Sequence, residues 1–365
     1  MYNWRFYSVS MHFQIGKATN FASLHSVLTT LCILIIIMSL ASGTLTVKAQ
    51  VSISTATYDS YHIDDYVSTR GHFDYLATGE LISGHNKTDY EYYTTNHKIQ
   101  NQFICPAQKE IAIYIHGEWT DETAANEQFD RITKSITINN YSIPLIGFTW
   151  DANTPVNKNG WEIAKKIATN NGQKLAQFIS DFKNKCKDVD IRLIAHSLAA
   201  AIVNSTLLTI SNNRMLNSNL NNDSNFDIKS VHLLGAAMDR SAAASNTTFG
   251  KSIEDIVDNL YNLRNPEDNM LEYIYRYLEN RDAIGLLGIQ SSLPTPSSYS
   301  ERQVDSEILP IPDADANAKF DCFDFFVLLY GDNHCGYIGF RTLHPFEILL
   351  RDDGAIDVLV RNWLE

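Results

Sequence analysis

Apolar and polar positions change rhythm along this chain. From Ile111 onward short apolar runs recur: Ile111 to Ile115, Ile143 to Trp150, Ile191 to Ala195, Ser230 to Ala237, and a weaker one from Asn259 to Leu263. Runs of this length, bounded by polar residues, are strand-sized. Between them the period becomes three and four. Trp161, Ile163, Ala164, Ile167, Ala168, Leu175, Phe178, Ile179 and Phe182 form one apolar stripe, which predicts a helix over 161–182 despite the weak Asn170-Asn171-Gly172. Strands alternating with helices predict βαβ units: an α/β fold with a mostly parallel central sheet flanked by helices, right-handed crossovers, and a ligand site at the carboxyl ends of the strands.

Three stretches break the rhythm. Residues 50–108 are polar and Tyr-rich, with β-like runs such as Val51 to Thr57, and read as a segment of short strands. Asn212 to Asn225 is Asn-rich; its side chains compete for backbone hydrogen bonds, so it is expected to be a surface loop or insertion. Ser291 to Lys319 holds Pro294, Pro296, Pro310 and Pro312, and is expected to be an irregular insertion or lid. There is no internal repeat.

Composition narrows the location and the partners. The 365 residues, 44% of them hydrophobic, suffice for a sizeable core. Residues 1–49 hold Arg5, Lys17 and Lys48 and no acid, which leaves 26 basic against 42 acidic groups, a charge of -16, on the rest. That balance excludes nucleic acid as a natural partner. The uncharged stretch between Lys17 and Lys48 has its densest apolar run at Leu31 to Ala41, shorter than the roughly 20 residues of a spanning helix. With Val47-Lys48-Ala49 as a small-residue cleavage site it reads as a signal peptide over 1–49; used from Val27 to Leu45 it reads instead as an N-terminal anchor that tethers the protein to a membrane. Either way the domain, 50–365, is expected outside the cytoplasm. Sequons at Asn86, Asn140, Asn204, Asn222 and Asn246 accord with that, as does an even set of cysteines once Cys32 is set aside within the apolar core.

The chemistry concentrates where a strand meets a helix. Ile191-Arg192-Leu193-Ile194-Ala195-His196-Ser197-Leu198-Ala199-Ala200 carries an apolar strand into a small-residue helix with a Ser at the junction. A nucleophile elbow needs small residues two before and two after its nucleophile, because strand and helix pass close together. Here they are Ala195 and Ala199. The run resembles the GHSLGG-like segment of lipases and other α/β-hydrolases with alanine in place of glycine. Upstream, a strand ends in His116-Gly117-Glu118-Trp119, which resembles the oxyanion-loop start of the same superfamily, with a flexible Gly where the chain turns away.

The resemblance, carried from about Glu110 to Cys335, implies an α/β-hydrolase fold and a serine hydrolase acting by acyl transfer on a small-molecule or lipid-like ester. Ser197 would be the nucleophile, and Gly117, Glu118 and Leu198 would supply the oxyanion site. The acid would be Asp268, after Asn259 to Leu263, or its rival Asp239, after Val231 to Met238. The base would be His334, in the glycine-bounded loop Gly331 to Gly336, or His344, whose place before Pro345 suits a helix start better. His116 more naturally braces its loop than takes a proton. No cofactor and no metal is implied. The alternative function is a catalytically silent α/β-hydrolase domain used for binding or adhesion at the cell surface.

In that fold the strands ending at His116 and at Ser197 are parallel neighbours, so the resemblance implies a disulfide between Cys105 and Cys186, and with it one between Cys322 and Cys335. Ser68-Thr69-Arg70-Gly71-His72-Phe73-Asp74, with Gly84-His85, is also similar to a segment of exported archaeal α/β-hydrolases. Asp313-Ala314-Asp315-Ala316-Asn317 begins like a calcium loop but has Ala318 where Gly belongs and Asp324 in place of Glu, so calcium is not expected.

Overall fold

The computed structural model describes residues 65–94, 97–99, 103–217, 227–308, 334–339 and 353–365, all in the second of the two units into which the chain divides, Asp59–Glu365. Residues 1–49, the run Val51 to Thr57, the calcium-like stretch, Cys322 and His344 lie outside the described residues.

The described strands are β1 (Asp65–Ser68), β2 (Glu91–Thr94), β3 (His97–Ile99), β4 (Glu110–Ile115), β5 (Leu145–Thr149), β6 (Asp190–His196), β7 (Ile228–Leu234), β8 (Val257–Arg264) and β9 (Tyr299–Gln303). They form one sheet in the order β3-β2-β1-β5-β4-β6-β7-β8-β9. β2 runs antiparallel to β1 and β3, and all other pairings are parallel. Every residue of Ile111–Ile115, Leu145–Thr149 and Ile191–His196 is buried. Strands buried on both faces read as continuous apolar runs, which is why these were visible in the sequence. β9 reads Tyr-Ser-Glu-Arg-Gln and has no such run. It lies in the stretch expected to be irregular, yet it extends the sheet, pairing with β8 from Leu260 and Tyr299 to Arg264 and Gln303. An edge strand with polar side chains gives periodicity nothing to detect.

Helices α1 (Glu122–Ile138), α2 (Lys158–Lys185), α3 (Ala199–Asn217), α4 (Thr248–Ile256) and α5 (Ile356–Leu364) cover both faces. Ile111, Ile113 and Ile115 join the core under α2, α3 and α4, while Ala112 and Tyr114 of the same strand join the core under α1 and α5. Asp121 and Asn157 cap α1 and α2 by accepting the N–H groups of Ala124 and Gly160. Gly172 does not break α2, because a Cβ there would meet that of Ser205 at 2.3 Å: the glycine lets α2 and α3 touch. The Asn-rich stretch differs from expectation at its start, since α3 continues through Asn217; 218–226 lie outside the described residues.

Cys105 and Cys186 form a disulfide with their Cα atoms 5.4 Å apart, at the amino ends of the neighbouring β4 and β6. Cys335 is also disulfide-bonded. Among the described residues no helix is long and apolar enough to cross a membrane.

Candidate active site

Because β4, β6, β7 and β8 are parallel, their carboxyl ends share one edge of the sheet, and the segments leaving them meet there. Ser197 leaves β6 with φ 57°, in the left-handed region a non-glycine residue adopts only under constraint. The constraint is a set of backbone bonds: its N–H donates to Leu234 O at 3.0 Å, and its carbonyl accepts from Ala237 at 3.1 Å and Ala200 at 3.2 Å. Ala195 and Ala199 are wholly buried beside it, small enough for the close passage that glycine usually serves. What Gly117 provides is space rather than flexibility. A Cβ there would lie 2.9 Å from Ser197 Cβ, so the loop that leaves β4 and the turn at Ser197 are in contact through its missing side chain.

His116 braces that loop. Its Nδ1–H donates to Gly117 O at 2.9 Å, and its Nε2 accepts from Trp150 N–H at 3.3 Å and meets Arg70 Nη2 at 3.2 Å. Burial, and then the Arg70 charge, hold its pKa well below the usual imidazole value, so the ring is neutral. Arg70 also donates to Thr149 Oγ1 at 2.6 Å and Thr120 O at 3.0 Å. Arg70 thus buttresses the loop, a role its sequence did not disclose.

The two candidate acids separate clearly. Asp268 is fully buried; its Oδ2 accepts from His334 Nδ1 at 2.7 Å and from Tyr337 O–H at 3.3 Å, and its Oδ1 accepts from Leu271 N–H at 2.9 Å. Asp239 instead accepts from Ser241 N–H at 2.7 Å and pairs with Arg281 at 3.0 Å. His334 is held from behind: His196 Nε2–H donates to its carbonyl at 2.8 Å. Burial, and then His334, push the His196 pKa down to about 3, which keeps that donor neutral. Sequence reasoning passed over His196 and Tyr337, although the position of His196 beside the elbow Ser was a clue.

Ser197 and His334 line a common cleft of about 600 Å³ including its open mouth, with polar lining from Glu118, Thr120 and Gln128. Apolar lining comes from Trp161 and from Met270, Leu271, Ile274, Tyr275 and Leu278. These last belong to a π-helical turn, Met270–Tyr275, that runs into the helical turn Arg276–Glu279. This segment, which follows Asp268, walls the cleft; no described residue of 291–319, the expected lid, lines it. Burial raises the Glu118 carboxyl pKa well above the usual range, against hydrogen bonds from Thr154 and the Trp119 backbone.

Away from the cleft, His72, His85 and Asp89 bring ligand-type atoms within 4.8 Å of one another. Lys174, fully buried, occupies that cluster. Its Nζ donates to His72 Nδ1 at 3.0 Å, Asn86 O at 2.6 Å and Asp89 O at 3.0 Å, and pairs with the Asp89 carboxylate. The ammonium is the cation these acceptors serve.

A family model described as an alpha/beta hydrolase of unknown function (DUF900) matches residues 92–285. No curated protein matches. Among solved structures, the catalytic core domain of acetyl xylan esterase from Trichoderma reesei is similar at 13% identity, over 56% of this chain and 85% of that one, with a TM-score of 0.29. An acetylxylan esterase at 0.90 Å resolution is similar at 11% identity, over 55% and 84% of the two chains, with a TM-score of 0.30. At these TM-scores neither bears on what this chain does.

Proposed function

The chain belongs to that α/β-hydrolase family, and from this premise we propose that it is a serine hydrolase acting by acyl transfer on an ester or related carbonyl substrate, with Ser197, His334 and Asp268 as its triad. The observation that carries the reading is the 2.7 Å bond from His334 Nδ1 to the buried Asp268 carboxylate, beside a cleft that Ser197 also lines. With Nδ1–H committed to Asp268, the neutral ring keeps Nε2 free of a proton. Ser197 Oγ attacks the carbonyl carbon, His334 Nε2 takes its proton and returns it to the leaving group, and water then releases the acyl group by the same steps. Negative charge on the carbonyl oxygen is held by backbone N–H groups, that of Leu198 where α3 begins and that of Glu118 after Gly117. The reading includes export, which the Cys105–Cys186 disulfide supports.

A fluorophosphonate probe tests the nucleophile. Wild-type protein is expected to be labelled at Ser197 and Ser197→Ala to escape labelling. Folded wild-type protein that resists the probe would return the domain to the silent, binding reading.

A further inference from the structure

The apolar side chains of the cleft come from few places in the chain. Met270, Leu271, Ile274, Tyr275 and Leu278 line it, three and four residues apart on the segment that follows Asp268. That spacing puts them on one face of a helical segment. Tyr273 and Tyr277, between them in sequence, do not line the cleft and are 47% and 79% exposed. Trp161 of α2 completes the surface, its ring at right angles to that of Tyr275 with centroids 6.1 Å apart.

This wall is fixed at both ends. At its start the Leu271 N–H donates to Asp268 Oδ1 and the Glu272 N–H to Asp268 O, each at 2.9 Å. The residue whose carboxylate meets His334 therefore also sets where the wall begins. At the end remote from Asp268, Glu279 accepts from Trp161 Nε1–H at 2.5 Å and pairs with Lys165 of α2 at the same distance. A wall held in this way is preformed, so a ligand that fits it meets little cost of ordering. With the Trp161 N–H taken by Glu279, the indole joins Met270, Leu271, Ile274 and Leu278 in offering a ligand apolar surface, and affinity there comes from removing that surface from water. The whole cleft, about 600 Å³ with its open mouth, is the size of a small-molecule site.

We propose that this wall determines specificity: it takes one short apolar group, acyl chain or alcohol, beside the scissile carbonyl, and Trp161 at its far end limits the length accepted. The substrate class is therefore small apolar esters, in contrast to long-chain lipids and to fully polar esters. The reaction rests on the serine-hydrolase reading; the fit of an apolar group to the wall does not.

Two series of esters test it: p-nitrophenyl esters from acetate to dodecanoate, which lengthen the acyl chain, and n-alkyl acetates from ethyl to dodecyl, which lengthen the alcohol. In one series kcat/KM is expected to climb about fourfold per methylene and then to fall at longer chains; which series does so identifies the group the wall holds. Trp161→Ala, or Trp161→Phe should the first variant not fold, is expected to move the peak to longer chains. Ile274→Ser, at a partly buried position of the wall, should at least halve the gain per methylene. Comparing chain lengths within one protein cancels the fraction of folded enzyme. The proposal is overturned by kcat/KM that is flat in both series, by a rise that continues to the longest chain, by a peak that Trp161 substitution leaves in place, or by a gain that Ile274→Ser leaves unchanged. Calorimetric titration of Ser197→Ala with alkan-2-ones of rising length reads the wall without turnover, and affinity is expected to rise with length to the same limit. Turnover that survives in Ser197→Ala refutes the nucleophile, whereas ketone affinity indifferent to length refutes the wall whether or not the wild type is active.

Discussion

Asp239 and Asp268 follow two strands, β7 and β8, that are parallel neighbours and end at the same edge of the sheet. By sequence they are near-equivalent: a carboxylate in the turn after an apolar strand. The fold treats them differently. Asp268 is fully buried beside His334, and Tyr337 O–H and Leu271 N–H also donate to it. Asp239 keeps 28% of its side chain exposed and is bound to Arg281, which is itself mostly exposed. A buried carboxylate needs a complete set of donors to remain charged, and that set is also what orients an imidazole; a half-exposed one needs only a local partner and water. The difference teaches that position on the sheet nominates an acid, while the donors brought by distant segments select it.

The largest effect that would break this comparison is on turnover. Asp268→Asn is expected to lower kcat/KM on p-nitrophenyl esters by about 10³-fold or more, as loss of the orienting acid does elsewhere. Asp239→Asn should change it by less than about threefold. Comparable losses in the two variants would erase the distinction.

A smaller effect sharpens it from the donor side. Tyr337→Phe removes the hydroxyl 3.3 Å from Asp268 Oδ2 while keeping the buried ring, and is expected to lower kcat about two- to tenfold. If kcat does not move, the His334 and Leu271 donors suffice for Asp268.

The smallest effect concerns stability at the other carboxylate. Burial works to raise the Asp239 pKa, but hydrogen bonds from Ser241 and Arg281 outweigh it and the net shift is downward. A folded pKa below the unfolded value of about 3.9 contributes stability above that pH, and the contribution is lost as pH falls through the folded value. Asp239→Asn should therefore melt slightly below wild type at pH 7, with the gap closing as pH falls through the lowered folded pKa of Asp239. A gap that persists in acid would mean the pair does not act through charge.

The sequence by itself determined the parts that depend on local pattern. Ile111–Ile115, Leu145–Thr149 and Ile191–His196 are buried on both faces, so their apolar runs announced the central strands. The stripe from Trp161 to Phe182 announced α2, and the small residues around Ser197 announced the elbow. The pairing of Cys105 with Cys186 came from the resemblance to α/β-hydrolases, whose strand order places β4 beside β6, and the structure bears it out. Tertiary structure alone decided what depends on long-range partners. Whether Asp268 or Asp239 meets a histidine turned on a bond spanning 66 residues, and the His196 anchor on one spanning 138. The polar edge strand β9, the wall built from Met270–Tyr275 and the contact of Thr154 with Glu118 were equally silent in the sequence. Periodicity records which side of an element faces the core; it carries no record of which remote side chain will complete a hydrogen bond, because that is set only when the sheet brings the loop ends together.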